Sequence, residues 1–181
     1  LFQIGFGLSA FKSGLLLLVS ALGNLTMKAL TTRILRRFGF RYVSIVDVAL
    51  AGLFIVAIGL LTPATPLVLV LIVIFVYGVG RSMQFSLLAT LAYADVPQPQ
   101  MNAASTLWSA AAQMTIGLGI AFGAVSLRVG ALLNGEASGH AFTLDDFRLA
   151  FLFAGVVTLV SVIGYMRMAH NAGQSVGGGA L

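Results

Sequence analysis

Long apolar stretches separated by short polar or proline-bearing breaks dominate the chain. About 20 apolar residues cross the hydrocarbon core of a bilayer, and five stretches reach that length. They run from about Ala10 to Leu30, Tyr42 to Leu61, Leu67 to Tyr93, Ala103 to Leu127 and Leu149 to Met168. Ser9 is a plausible N-cap for the first. The second ends at Thr62-Pro63-Ala64-Thr65-Pro66 and the third before Asp95-Val96-Pro97-Gln98-Pro99. Proline fits such breaks because it lacks a helical donor and restricts the residue before it. Leu1 to Gly7 read as the tail of a preceding helix. The fold class is an all-α integral membrane protein of five spans plus the end of an earlier one.

Within the spans the polar residues are unevenly sorted. Asn102, Thr106, Ser109 and Gln113 recur at steps of three and four, so they share one helix face. Tyr77, Arg81 and Gln84 do so on the third span. Ser13, Ser20 and Asn24 are roughly aligned on the first. The second and fifth spans are almost wholly apolar apart from Asp47. This sorting predicts that the first, third and fourth spans line an interior and that the second and fifth face lipid.

Composition agrees with the membrane class. Charged residues make up 8% of the chain and hydrophobic ones 59%, whereas a soluble domain carries about 25% charged residues. The net charge of +5 is concentrated rather than spread. Lys28, Arg33, Arg36, Arg37 and Arg41 fall in a loop between the first two spans, and the loop Thr62 to Pro66 has no basic residue. By the positive-inside rule the basic loop is cytoplasmic, and alternation makes the C-terminus cytoplasmic too. Residues 169–181 read as a flexible cytoplasmic tail. Clustered charge of this kind marks membrane orientation, and no nucleic-acid partner is implied.

Arg81 is the most informative residue. A guanidinium at that depth costs roughly 2.5–3.5 kcal/mol on insertion scales and normally faces a bundle interior or a water-filled cavity. Tyr77, Arg81, Gln84, Asn102, Ser109 and Gln113 are therefore candidates for a substrate pathway; a structural arginine on backbone carbonyls is the alternative. Gly117, Gly119 and Gly123, with a GxxxG step, suit close helix packing. The basic loop serves either as an anchor or as a gate element pairing with acidic groups or anionic lipid. Asp47 suits an ion pair with Arg41 or Arg37, or a proton site. Trp108 fits an interfacial belt or a cavity wall.

Catalysis has little support. There is no cysteine, and His140 and His170 have no companions at metal-ligand spacing and no serine partner. No metal, cofactor or enzyme activity is predicted.

Gly5-Phe6-Gly7-Leu8-Ser9-Ala10-Phe11-Lys12-Ser13-Gly14-Leu15 resembles the entry into a late helix of the major facilitator superfamily. Arg33-Ile34-Leu35-Arg36-Arg37-Phe38-Gly39-Phe40-Arg41 resembles the basic loop that follows it. Gly80-Arg81-Ser82-Met83-Gln84-Phe85 and Leu91-Ala92-Tyr93-Ala94-Asp95-Val96-Pro97 are similar to the antepenultimate helix and its exit in the fourteen-helix drug/proton antiporter branch. The resemblance covers nearly the whole chain. It implies that residues 1–181 are the C-terminal half of such a transporter, partnered by an N-terminal half outside this chain. It also implies proton-coupled export of small amphipathic compounds across the cytoplasmic (inner) membrane, with the first, third and fourth spans at the central cavity. The basic loop departs from the family pattern in lacking an acidic residue. A membrane scaffold or assembly subunit is the alternative, and it predicts no energised flux. An ion channel would need a repeated filter-like loop, which the sequence does not show.

Overall fold

The computed structural model describes residues 1–133 and 142–167. Among them are five helices long and apolar enough to cross a membrane. They are α1 (Ala10–Phe38), α2 (Phe40–Leu60), α3 (Leu67–Tyr93), α4 (Met101–Leu133) and α5 (Leu144–Met166). A single 3₁₀ turn, Gln98–Gln100, leads into α4. Glu136, His140, His170 and the tail 169–181 lie outside the described residues.

Local chemistry sets the helix ends. Ser9 caps α1, its hydroxyl accepting from the Lys12 N–H at 3.3 Å. The start of α5 carries a full capping box. Thr143 and Asp146 bond each other's backbone N–H groups, and the Asp146 carboxylate also accepts from the Thr143 hydroxyl at 2.9 Å. This arrangement satisfies two otherwise orphaned donors, and it starts α5 ahead of the Leu149 boundary expected from hydropathy. Phe2 to Gly5 form a turn closed by Gly7 at φ 65°.

The basic segment between the first two spans is not a loop. α1 continues to Phe38 and α2 begins at Phe40, so Lys28, Arg33, Arg36 and Arg37 lie on α1 and Arg41 lies in the first turn of α2. The only break is Gly39, at φ 78°, a conformation that costs a residue with a Cβ but not glycine. Arg36 and Arg37 occupy the last turn of α1, where cations complement the helix dipole. At 1.5 Å per residue α1 is about 43 Å long, more than the roughly 30 Å hydrocarbon core. Its apolar window ends at Lys28. The charged end can therefore stand clear of the hydrocarbon while remaining helical.

Packing does not follow chain order. α1 packs chiefly on α3, α3 on α2, α2 on α5 and α5 on α4, and the consecutive helices α1 and α2 touch only slightly. Glycines permit the closest approaches. A Cβ on Gly78 would collide with the Ser20 carbonyl, and one on Gly23 with the Phe75 carbonyl. Ser82 completes that contact by donating to the Asn24 carbonyl at 2.9 Å. On α1, Ser13 is buried, and the backbone carbonyls of Ser20 and Asn24 meet α3. α2 and α5 close through Gly52, Gly59 and Gly155, with Leu159, Phe151 and Val56 filling the space a Cβ would need. Leu16, Leu61, Val70 and Ile74 form one small core, with Phe2 and Phe6 against it. Met27, Val43, Met83 and Leu87 form a second toward the basic end.

Candidate functional site

The third-span stripe divides in space. Residues at 100° per step place Gln84 about 20° from Tyr77 around the helix, but Arg81 about 40° from Tyr77 and about 60° from Gln84. Gln84 turns toward α5 and donates its amide N–H to the Tyr165 hydroxyl at 2.5 Å. Tyr77 lines a cavity bounded by α1, α2 and α3. Arg81 is exposed and, among the described residues, makes no ion pair or hydrogen bond.

One turn beyond Arg81, Phe85 shares its exposed face and meets Trp108 of α4, ring centroids 5.8 Å apart. Tyr93 reaches the same indole at 6.4 Å. Trp108 is thus an aromatic bridge between α3 and the start of α4. Beyond it α4 departs from α3 and returns to α5, where Phe122 stacks on Phe153 at 5.4 Å and Gly130 lies against the Asp146 backbone.

Asn102, Thr106, Ser109 and Gln113 are all exposed along α4. Thr106 donates to the Asn102 carbonyl at 3.0 Å and Ser109 to the Ser105 carbonyl at 2.9 Å. The Gln113 carboxamide has no partner among the described residues. The structure thus brings none of these side chains onto Arg81. Both polar faces are open, and they flank the aromatic bridge.

Nothing packs within 4 Å of a Cβ placed on Gly117, Gly119 or Gly123. Among the described residues these glycines join no helix pair. The close contacts fall to Gly23, Gly52, Gly59, Gly78, Gly130 and Gly155, residues whose spacing within one helix carries no distinctive signal.

Asp47 departs from its expected ion pair. It is 7% exposed, and its Oδ2 has no hydrogen-bond partner. The arginines near it in sequence are engaged elsewhere: Arg41 donates to the Met166 carbonyl of α5 at 2.5 Å, and Arg37 lies over the Phe38 ring. Asp47 Oδ1 approaches Gly80, 3.5 Å from where a Cβ would stand. A buried acid on the apolar α2 thus shares the α2–α3–α5 region with Gln84 and Tyr165. No group of three or more metal-ligating side chains occurs among the described residues.

Comparison with known proteins finds similarity to transport and multidrug-resistance proteins. Over 179 residues, 96% of this chain, it is 29% identical to the transport protein HsrA of Haemophilus influenzae, covering 37% of that protein. Over 154 residues it is 28% identical to the multidrug resistance protein MdtD of Serratia proteamaculans, covering 84% of this chain and 31% of the relative. The MdtD of Pectobacterium carotovorum is 30% identical over 125 residues, 69% of this chain and 27% of its own length. The chain thus spans about a third of the length of the curated relatives it matches. No family model and no solved structure matches it.

Proposed function

We propose that this chain, a multi-pass membrane protein homologous to bacterial multidrug-resistance and transport proteins, forms one wall of a secondary active exporter of small amphipathic compounds. The observation that carries the reading is the pair of uncovered polar groups, Arg81 on α3 and Gln113 on α4. Both lie deep in apolar helices, and both are exposed with no partner among the described residues. Lipid cannot satisfy a guanidinium or a carboxamide. A water-filled pathway closed by a second bundle can.

In this reading Arg81, Asn102, Ser109 and Gln113 belong to the substrate pathway, while Tyr77, in the α1–α2–α3 cavity, and Gln84, bonded to Tyr165 of α5, lie off that face. The second bundle is the remainder of a longer transporter, and alternating access arises from rocking of the two around a midplane site. Gly117, Gly119 and Gly123 lie on the uncovered stretch of α4, where they suit close approach of that bundle. The reading places the protein in the inner membrane with the basic end of α1 and the end of α5 in the cytoplasm. Export is coupled to proton entry.

In the full-length protein, Arg81→Ala should abolish or sharply reduce transport while insertion persists. Wild-type transport by that variant would sink the assignment. Flux in proteoliposomes under an imposed pH gradient tests the coupling. The absence of any energised flux would favour a scaffold role.

A further inference from the structure

The cleft between α3 and α4 has a floor and a single charge. Its floor is the aromatic bridge, where Phe85 and Tyr93 of α3 meet the Trp108 indole near the turn that joins the two helices. Both ring pairs are edge-to-face, and Phe85 stays 55% exposed, so ring surface remains for a ligand. Arg81 lies one turn farther from the joining turn, about 6 Å of rise from Phe85 and on the same helix face. On that side α4 has left α3 for α5. The cleft therefore opens where the guanidinium stands.

No acid neutralises Arg81 among the described residues. Asp47 is buried on another side of α3, against Gly80. Asp145 pairs with Arg148 at 2.7 Å, and Asp146 is buried in the α5 capping box. Asp95 lies beyond the end of α3, whose last residue, Tyr93, is already about 18 Å of rise from Arg81. A guanidinium presents paired N–H donors that match a carboxylate. An uncompensated one repels cationic ligands, which is selection by exclusion. Aromatic rings offer a stacking surface that takes any aryl group.

We infer that the ligand of this cleft is an aromatic monoanion, its ring laid on Phe85 and Trp108 and its ionised carboxylate held by Arg81. This inference rests on the exporter reading for the site, and it names the class of compound the site selects: anionic aryl compounds over cationic ones of the same shape.

The test is equilibrium binding to the full-length protein in phosphatidylcholine nanodiscs of three probes sharing one ring system: 2-naphthoate, neutral 2-naphthamide and cationic 2-naphthylmethylammonium. The wild type should bind 2-naphthoate most tightly and the cation least. Arg81→Gln should weaken 2-naphthoate by about tenfold or more, the scale of a lost hydrogen-bonded charge partner, and leave 2-naphthamide unchanged, which also shows that the variant is folded. Arg81→Lys should fall between the two, keeping the charge without the paired donors. Phe85→Ala should weaken 2-naphthoate and 2-naphthamide alike, by about two- to tenfold, the scale of one aromatic contact. Wild-type 2-naphthoate affinity in Arg81→Gln would overturn the inference, as would equal losses of both probes in that variant or a wild-type preference for the cation. The last result would arise if an acid of the second bundle neutralised Arg81. Binding is measured without a gradient, so the two readings fail separately. Anion binding through Arg81 without energised flux refutes the exporter, and energised flux of the cation without anion binding refutes the ligand class.

Discussion

Gly78 of α3 lies directly against the Ser20 carbonyl of α1, so closely that any side chain at position 78 would strike backbone. Backbone cannot swing aside as a flexible side chain can, so the two helices would have to separate. Such close approach through small residues is how helices associate in lipid, where no hydrophobic driving force acts between them. Gly78→Val should therefore destabilise the detergent-solubilised full-length protein by about 1–3 kcal/mol or more, read as a lowered unfolding midpoint. An unchanged midpoint would mean that α1 and α3 are not in contact there.

Ser82 lies one turn along the same seam and donates to Asn24. Interhelical hydrogen bonds in membranes average only about 0.6 kcal/mol. Ser82→Ala should thus cost far less than Gly78→Val in the same assay. A reversed ranking would indicate that polar bonding, rather than backbone proximity, holds the seam.

Tyr165→Phe removes the acceptor of the Gln84 amide. The Gln84 Oε1 is already buried without a partner, so the whole carboxamide would then be left unsatisfied. A loss of about 1–3 kcal/mol is expected. The double variant Gln84→Leu with Tyr165→Phe should recover part of it, because removing both partners leaves no orphan. Additive losses in a double-mutant cycle would contradict a direct bond between them.

Asp47→Asn should leave stability unchanged or raise it, since it removes an unpartnered buried charge. Were Asp47 ion-paired to Arg37 or Arg41, breaking the pair would instead cost about 3–5 kcal/mol. Thermal unfolding of the variant at neutral pH separates the two cases.

At the other end of the bundle, Thr143→Ala removes the hydroxyl that caps α5 and a bond to the fully buried Asp146. The expected cost is about 0.5–2 kcal/mol. Thr143→Ser keeps the oxygen and should restore most of it. Equal losses for both substitutions would show that the Thr143 methyl, rather than the cap, matters.

By itself the sequence determined the class: an all-helical membrane chain with five segments able to cross a bilayer. These follow from composition and run length, which depend on solvent preference and not on neighbours. Proline breaks placed the start and end of α3 at Leu67 and Tyr93, because missing donors act locally. The Gly39 junction and the Thr143 capping box moved other boundaries, since a single φ or a pair of hydrogen bonds outweighs hydropathy at a helix end. Only the tertiary structure decided which helices meet. Packing in lipid is selected by small residues opposite backbone, a property of two helices together, so Gly23 and Gly78 became a seam while Gly117, Gly119 and Gly123 stayed open. The same pairing turned Gln84 onto Tyr165, left Arg81 uncovered and enclosed Asp47 away from every arginine near it in the sequence.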